Sequence, residues 1–257
     1  MNDPKVLVMM ATYNGEKYVA EQIDSILAQE NVDVTLLISD DGSTDSTVAI
    51  CDSYSNRYPN VLFKVNSNNK GLSKNFMDMV YQTDSESFDY FAFSDQDDYW
   101  MPCKLNKAIE KILSTREGPR LYYSDVLNTN ENLDGGAGEY RPFVPYANSF
   151  GLLLTINWAS GCTMVFNSAF CNKLKQYEPK TWPRIHDGWV HLVALGCGWA
   201  VPDLERSFIK RRISANNQVG ERNLGSASLS RLLKALKAFF LKRNHDYLNI
   251  AQELDKG

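Results

Sequence analysis

The sequence predicts an α/β protein with a mostly parallel central sheet and helices on both of its faces. Strand-like and helix-like segments alternate over the first half of the chain, which is the order of βαβ units. The first strand, residues 6–12, is a continuous apolar run, as expected for a strand buried on both faces. Polar clusters follow four of the predicted strands, at the sheet edge where open α/β proteins bind ligands.

The individual elements follow from hydrophobic spacing and from the residues that begin helices. Apolar residues within 16–29 recur at helical spacing, either Ser43 or Thr44 is a suitable N-cap, and Pro102 suits a first helical turn. The predicted strands are residues 6–12, 34–39, 61–65, 90–94 and 121–127, and the predicted helices are 16–29, 44–58, about 72–81 and a segment that Pro102 opens.

The second half of the chain does not continue the regular alternation of strands and helices. Residues 128–148 are rich in Asn, Gly and Pro, which predicts a long surface excursion. An apolar segment at 159–166, a helical pattern at 187–195 and a short strand near 208–213 complete the predicted body. We expect a first half, 1–127, that binds a ligand at the sheet edge and a second half, 128–220, that completes the site.

Length and composition exclude several classes of protein. The chain has 257 residues, of which 44% are hydrophobic and 23% charged, so neither a disordered nor a fibrous chain is expected. No apolar run approaches the roughly 18 residues of a membrane span, and the N-terminus lacks the apolar region of a signal peptide. Five cysteines without a C-x-x-C pair indicate reduced thiols in a cytoplasmic protein, and only three histidines argue against a His-rich zinc site.

The charge is distributed unevenly. Residues 210–243 carry a net charge of +8, which leaves −12 for the rest of a chain whose total is −4. Within the predicted tail, 221–257, apolar side chains from Leu229 to Phe240 have helical spacing, and residues 229–243 form a basic amphipathic pattern. Such a helix could bind an anionic membrane surface, or pack on its own domain or on a second protomer in a homodimer. Nucleic acid is disfavoured, because the acidic body would repel it.

The acidic segment after the fourth strand is the most informative candidate site. Asp95, Asp97 and Asp98 place three carboxylates within four residues, and these repel one another unless a cation is near. Oxygen ligands suit Mg²⁺ or Mn²⁺, which bind proteins through a few carboxylates together with substrate phosphates. The alternative is a solvated acidic loop before a helix. The chain has no phosphate-binding glycine motif, no H-E-x-x-H and no G-x-S-x-G, so a metal–diphosphate site here indicates a nucleotide-sugar.

Several ordered motifs resemble those of family 2 glycosyltransferases of GT-A fold. They are Thr12-Tyr13-Asn14-Gly15, Asp40-Asp41-Gly42-Ser43-Thr44-Asp45, Lys70-Gly71 with Asn75, FSDQDDYW at 93–100, and Gly161-Cys162-Thr163. The similarity covers about residues 4–220 and is greatest to bacterial rhamnosyltransferase-like members of cell-surface polysaccharide pathways. It implies an inverting transferase that uses a dTDP- or UDP-sugar, Mg²⁺ or Mn²⁺, and a lipid-linked oligosaccharide acceptor of the O-antigen or capsule type. Such an enzyme would be peripheral on the inner face of the cytoplasmic membrane.

The resemblance also implies roles for single residues on the donor side. Thr12, Tyr13 and Asn14 would contact the nucleotide, Asp41 would accept a hydrogen bond from the base, and Asp40 would support that turn. Asp95 would hold the ribose or assist the metal, Asp97 would ligate the metal across the diphosphate, and Lys70 would position the donor. Read without the resemblance, the Asp-Gly-Ser cluster is an ordinary turn with a helix cap.

On the acceptor side, the resemblance makes Asp187 the candidate general base. The residue could instead be a helix N-cap, and His186 is a second candidate base because its ordinary pKa is near 6.5. Trp158 and Trp189 are candidates for acceptor binding, although such residues more often belong to the core. Ser214 stands two residues after Arg212, where the family often has histidine, so Arg211 and Arg212 are candidates for the diphosphate contact.

Two rival classes remain at this stage. One is another Mg²⁺-dependent enzyme, a nucleotidyltransferase or a phosphatase, although no aspartate after the first strand fits a phosphatase nucleophile. The other is non-catalytic, either a sugar-nucleotide-binding protein or a receiver domain. The length of the chain and the late Asp187 helix fit a receiver poorly.

Overall fold

A computed structural model describes residues 3–138, 159–178, 185–197 and 199–213 of the chain. Within these ranges the strands are β1 Lys5–Thr12, β2 Asp33–Asp40, β3 Val61–Val65, β4 Tyr90–Ser94, β5 Tyr99–Trp100, β6 Leu121–Thr129, β7 Ala137–Gly138, β8 Val165–Asn167 and β9 Ala200–Arg212. The helices are α1 Val19–Leu27, α2 Thr47–Arg57, α3 Leu72–Gln82, α4 Lys104–Leu113, α5 Ser168–Leu174 and α6 His186–Gly196, with a short 3₁₀ turn at Gly161–Thr163.

All nine strands belong to one central sheet in the order β3-β2-β1-β4-β8-β6-β9-β5, and β7 pairs with β6. The β3-β2-β1-β4 half is parallel throughout, as the alternation of strands and helices predicts. The other half is mixed, because β8 runs antiparallel to both of its neighbours and β5 runs antiparallel to β9. The α/β class and the mostly parallel sheet are both confirmed, since the long pairings β1-β2, β1-β4, β2-β3 and β6-β9 are parallel and the antiparallel pairings are short.

Helices cover both faces of the sheet, as predicted. On one face, Phe76 and Met77 of α3 and Trp189 of α6 pack against Met9 and Phe93. On the other face, α1, α2 and α4 contribute the buried side chains Val19, Ile23, Cys51, Leu105 and Ile109. Side chains of β1 alternate between these two cores, so both faces of this strand are buried and its continuous apolar run is explained.

The start of α2 differs from the prediction. The helix begins at Thr47, and neither Ser43 nor Thr44 is its N-cap. The N-cap is Ser46, which makes no side-chain cap hydrogen bond. The preceding residue, Asp45, satisfies the first helical amide instead, since its Oδ1 accepts hydrogen bonds from the Thr47 amide at 3.0 Å and the Thr47 hydroxyl at 2.5 Å. The residues between Asp40 and Asp45 are therefore left in a loop at the carboxyl edge of the sheet.

The last strand is much longer than predicted, since β9 begins at Ala200 rather than near residue 208. None of the helices in the described ranges has the length and apolar character needed to cross a bilayer. The predicted amphipathic segment, 229–243, lies outside the described residues.

Candidate active site

The loop after β2 is built around the buried carboxylate of Asp40. Its Oδ1 accepts hydrogen bonds from the amides of Gly42 and Ser43 at 3.0 and 2.8 Å. Its Oδ2 accepts from the hydroxyls of Thr12 at 2.8 Å and Ser43 at 2.5 Å. Asp40 thus ties the end of β1 to the loop after β2, which fits the predicted role of supporting this turn.

Asp41 organises the next loop in the same way. Its Oδ1 accepts from the Asn66 side chain at 3.0 Å and the Lys70 amide at 2.8 Å, and its Oδ2 accepts from the Gly71 amide at 2.8 Å. Oδ2 can accept a second hydrogen bond, so a ligand donor such as a base imide is compatible with this geometry. Asp41 is 4% exposed, and its first structural function is to hold the segment that precedes α3.

The loop after β1 carries the candidate nucleotide contacts Tyr13 and Asn14. The side chain of Gln96 clamps Tyr13, accepting from its amide at 2.9 Å and donating to its carbonyl at 3.1 Å. The ring of Tyr13 is 45% exposed and can contact a ligand. Gly15 leaves room for this clamp, because a Cβ at this position would lie 2.2 Å from Gln96 Oε1 and would displace the Gln96 side chain. Gln96 therefore joins the β1 loop to the acidic loop after β4.

Asn14 and Lys70 are both engaged with protein groups. Asn14 has a positive φ of 48°, and its Oδ1 accepts from the Thr44 amide at 2.8 Å. The ammonium of Lys70 pairs with Asp78 at 2.9 Å, and its side chain is 24% exposed. Lys70 can turn toward a donor phosphate only by exchanging this ion pair for a new one.

The acidic loop forms a compact set of ligand atoms. One atom each from Asp95, Asp98 and Cys162 lie within 4.8 Å of one another. Asp98 is 1% exposed, and its Oδ2 is buried with no hydrogen-bond partner in the described part of the chain. A buried carboxylate oxygen of this kind is costly unless a cation or a proton neutralises it.

The electrostatics of these carboxylates are those of a site that a cation would stabilise. Burial, with the negative charges of Asp97 and Asp187, raises the pKa of Asp95 to about 7. Burial, with the charges of Asp95 and Asp97, raises the pKa of Asp98 well above its usual range. Burial also raises the pKa of Asp97. A divalent cation removes this repulsion, so the residues present fit Mg²⁺ or Mn²⁺.

The structure thus brings Asp98 and Cys162 to the site in addition to Asp95, whereas the resemblance implies Asp95 and Asp97 as the metal ligands. Burial and the neighbouring carboxylates raise the pKa of the Cys162 thiol well above its ordinary value, so it is a neutral buried group. The string FSDQDDYW contained Asp98, but its burial depends on residues far away along the chain. Asp97 is not one of the three clustered ligand groups.

Arg211 and Lys104 both lie near the acidic loop. The charge of Arg211 lowers the pKa values of Asp95, Asp97 and Asp98, which offsets part of the effect of burial. Lys104 is buried, with its ammonium 3.4 Å from the centre of the Trp100 ring. Burial lowers the pKa of Lys104 to about 7, although the nearby charge of Asp98 favours its protonated form.

The guanidinium of Arg212 is bound to other protein groups and not open to a donor phosphate. Its guanidinium donates to the carbonyl oxygens of Glu131 at 3.0 Å and Asp97 at 2.8 Å, and it pairs with the carboxylate of Glu21. The residue is 2% exposed. This arrangement departs from the predicted donor contact, because a phosphate would have to displace buried protein partners.

Asp187 lies in the first turn of α6, beside the acidic loop. Its Oδ2 accepts from the amide of Gly161 at 3.3 Å, and its charge contributes to the raised pKa of Asp95. The side chain is partly exposed. Ile185 is the N-cap of α6, so Asp187 is not the capping residue that the alternative interpretation expected.

The second candidate base, His186, has a different environment. Its ring stacks on Phe76 with 4.1 Å between ring centres, and burial lowers its pKa to about 3. Trp189 is 2% exposed and belongs to the core that α3 and α6 share, which makes it a packing residue rather than an open sugar platform. Trp158 and Ser214 lie outside the described residues.

One edge of the α/β sheet carries the acidic loop after β4, the candidate nucleotide-binding loops after β1 and β2, and the carboxylate of Asp187. This combination defines a domain of the GT-A glycosyltransferase class. The comparison with protein families agrees, since the model of glycosyl transferase family 2 matches residues 7–172. The chain therefore belongs to glycosyl transferase family 2.

Individual relatives share this fold and family. The dTDP-rhamnosyl transferase RfbG of Shigella flexneri is 46% identical over 174 residues, which cover 65% of this chain and 57% of the relative. Residues 1–349 of S. aureus TarS, crystallised with UDP, give a TM-score of 0.62 at 21% identity, covering 82% of this chain and 61% of that one. The mannosyltransferase PcManGT of Pyrobaculum calidifontis, with GDP-Man and Mn²⁺, gives 0.57 at 13% identity, covering 99% and 65%. This chain thus spans 57% to 65% of the length of these three proteins.

Proposed function

We propose that this chain is an inverting glycosyltransferase that moves rhamnose or another hexose from a nucleotide-diphosphate sugar to a glycan acceptor. The observation that carries the proposal is the meeting of Asp95, Asp97, Asp98 and Asp187 with Arg211 at one edge of the sheet. The rival without catalysis, a sugar-nucleotide-binding protein, gives no reason for a partly exposed Asp187 beside the acidic loop.

On the donor side, the nucleoside would lie between the loops that follow β1 and β2. Tyr13 offers an exposed ring, and Asp41 Oδ2 can accept a hydrogen bond from the base. Asp40 and Thr12 would act indirectly by holding these loops in place. Asn14 would line the same edge, and Lys70 would reach the donor after leaving Asp78.

Asp95 and Asp98, with Asp97 at the diphosphate, would hold the divalent cation. A cation in this position supplies Lewis-acid stabilisation of the negative charge on the departing diphosphate. Arg211 adds a fixed positive charge on the same side, where its field reaches all three carboxylates. Mn²⁺ in the complex of PcManGT is compatible with this assignment but belongs to a protein of 13% identity.

Asp187 would act as the general base. Its carboxylate would take the proton of the acceptor hydroxyl while that oxygen attacks the anomeric carbon. The bond from the anomeric carbon to the diphosphate oxygen breaks, and the nucleoside diphosphate leaves with the electron pair. The Gly161 amide orients the carboxylate, and the buried His186 is too apolar in its surroundings to compete as a base.

The choice of donor is based on the named relatives, and the choice of acceptor is linked to the basic tail. RfbG is named a dTDP-rhamnosyl transferase, which makes dTDP-rhamnose the first donor to test, with UDP-sugars second. We infer a lipid-linked oligosaccharide of the O-antigen or capsule type as acceptor. Residues 229–243 would then hold the protein at the inner face of the cytoplasmic membrane.

The test combines ligand binding with turnover. Thermal shifts are measured with dTDP- and UDP-sugars in Mn²⁺ or in EDTA, because a ligand that binds only the native state raises its melting temperature. We expect a Mn²⁺-dependent shift with one donor. Asp187→Asn should keep that shift and lose transfer by about 100-fold or more, since general base catalysis contributes about that much.

Asp52→Asn is the matched control, because Asp52 is an exposed carboxylate on α2, outside the site. It should retain both binding and transfer. Normal transfer by Asp187→Asn would remove the base assignment, and a donor shift that is equal in Mn²⁺ and in EDTA would remove the cation assignment.

A further inference from the structure

Arg212 is a permanent positive charge that the fold buries almost completely. Its side chain is 2% exposed and lies at the end of β9. Its Nη1 donates to the carbonyl oxygens of Asp97 at 2.8 Å and Asp98 at 3.3 Å, and its Nε donates to the carbonyl of Glu131 at 3.0 Å. Three backbone oxygens from two separate loops are therefore held by one side chain.

The other side of the guanidinium is anchored to α1. The second Nη nitrogen pairs with the carboxylate of Glu21, and the ring of Tyr18 lies 4.5 Å from Cζ. Glu21 is 51% exposed, so the ion pair closes the site toward solvent while the carbonyl contacts lie inside. Arg212 thus links α1 and the Glu131 loop to the acidic loop, through a planar fork that lysine cannot reproduce.

We propose that Arg212 is a positioning residue that fixes the backbone of Asp97 and Asp98, so that the acidic loop is preformed to receive a cation. The inference rests on the proposed function only in taking this loop as the cation site. It assigns Arg212 to the protein side of the site, with no direct contact to the sugar nucleotide.

The need for such an anchor follows from the chemistry of the loop. Asp98 is buried against Asp95 and Cys162, and carboxylates this close repel one another before a cation binds. The repulsion acts on the side chains and favours movement of the loop toward water. Hydrogen bonds to its carbonyl oxygens oppose that movement without occupying any carboxylate oxygen, which leaves the ligand atoms available.

The test measures Mn²⁺ binding to the full chain without nucleotide, from the electron paramagnetic resonance signal of free Mn²⁺. Arg212→Lys keeps the charge and loses the fork, and Arg212→Met loses both. We expect affinity to fall about 10- to 100-fold in both variants, as is typical when a partner that orients metal ligands is lost. Arg206→Lys is the control, because Arg206 is 51% exposed and pairs with Asp203.

Hydrogen exchange of the peptide covering residues 94–99 is the second readout, and it does not depend on metal. Arg212→Lys should exchange faster there, with no change in α4. If wild type binds no Mn²⁺, the cation assignment fails while the exchange still decides the role of Arg212. Should the Arg212 variants not fold, Glu21→Gln should change both readouts in the same direction by a smaller factor.

Two results would overturn the inference. Unchanged Mn²⁺ affinity and unchanged exchange, with a lower melting temperature, would mean that Arg212 only stabilises the fold. Unchanged Mn²⁺ affinity with weaker binding of dTDP and UDP in EDTA would mean that Arg212 contacts the diphosphate directly.

Discussion

At the residue scale, burial separates the two candidate bases that are adjacent in sequence. The ring of His186 stacks on Phe76 and meets the edge of Phe93 with 5.2 Å between ring centres. Neither ring nitrogen has a hydrogen-bond partner within the described ranges. Asp187 is partly exposed and is oriented by the Gly161 amide. A group that must accept a proton from a sugar hydroxyl needs that access, so the geometry favours Asp187.

The low pKa of His186 predicts an acid-sensitive stability. The folded chain holds the ring neutral down to about pH 3, whereas the unfolded chain binds a proton near pH 6.5. The free energy of unfolding contributed by this group is therefore present above pH 6.5 and is lost as the pH falls from there toward 3. Between pH 7 and pH 5 the loss is about 2 kcal/mol. Urea unfolding at pH 7, 6 and 5 in EDTA measures it.

His186→Leu is the variant that isolates this effect. It replaces the ring by an apolar side chain that cannot titrate, while the acidic loop stays the same in both proteins. The difference in stability between the variant and wild type should move in favour of the variant by about 2 kcal/mol from pH 7 to pH 5. A difference that stays constant over this range would show that the buried ring does not govern the acid response.

At the element scale, the buried side-chain amide of Asn75 joins α3 to the sheet. Asn75 Oδ1 accepts from the Ser39 hydroxyl at 2.7 Å and from the Asn66 side chain at 3.0 Å. Its Nδ2 donates to the Ser39 carbonyl at 2.8 Å. Asn66 also binds Asp41, so the amide connects α3 and β2 to the loop that holds a candidate donor contact.

We expect Asn75→Ala to lower the free energy of unfolding by about 2–4 kcal/mol, because it leaves buried polar groups of Ser39 and Asn66 without a partner. Urea unfolding measures this, and calorimetry should show weaker binding of dTDP or UDP. Lys74→Ala on the same helix is the control, since Lys74 is 47% exposed and forms an ion pair with Asp78 within α3. Equal losses in the two variants would contradict the role of the amide.

Local patterns predicted some elements well and others poorly, and the difference has a physical basis. The bounds of β4 agree with the prediction because its first four residues form a continuous aromatic and apolar run that ends at Ser94, just before the acidic loop. The first half of β9 was missed because it pairs with β6 through an irregular register and carries polar residues such as Asp203 and Arg206. On its other side β9 has only the edge strand β5, whose two residues pair with Ile209 and Lys210, so little of β9 has the alternation of a buried strand.

The candidate site likewise has features that a local pattern predicts and features that it does not. Motifs within one loop, such as Asp95-Gln96-Asp97-Asp98, could be found in the sequence because their members are neighbours. The contact of Asp98 with Cys162 and the carbonyl contacts of Arg212 join residues far apart in the chain. Only the three-dimensional sheet order brings these residues together, so no local pattern could assign Arg212 to the acidic loop.

At the scale of the whole molecule, charge is divided between an acidic body and a basic segment. The described body places its acidic loop and Asp187 at one edge of the sheet, beside Arg211 near the end of β9. The chain leaves β9 at this edge and continues into the segment that carries most of the +8 charge of residues 210–243.

This arrangement predicts that anionic vesicles bind the full chain through the tail. Each lysine near an anionic surface contributes about 1 kcal/mol, so Lys234→Glu with Lys237→Glu should weaken binding about 30-fold or more. Co-sedimentation with phosphatidylglycerol vesicles measures it, and added salt should reduce binding by wild type. Lys5→Glu with Lys173→Glu makes the same change in net charge at two exposed positions of the body. An equal loss in both double variants would indicate attraction by net charge alone. No loss in either would mean that the basic helix packs on protein and does not bind the vesicle.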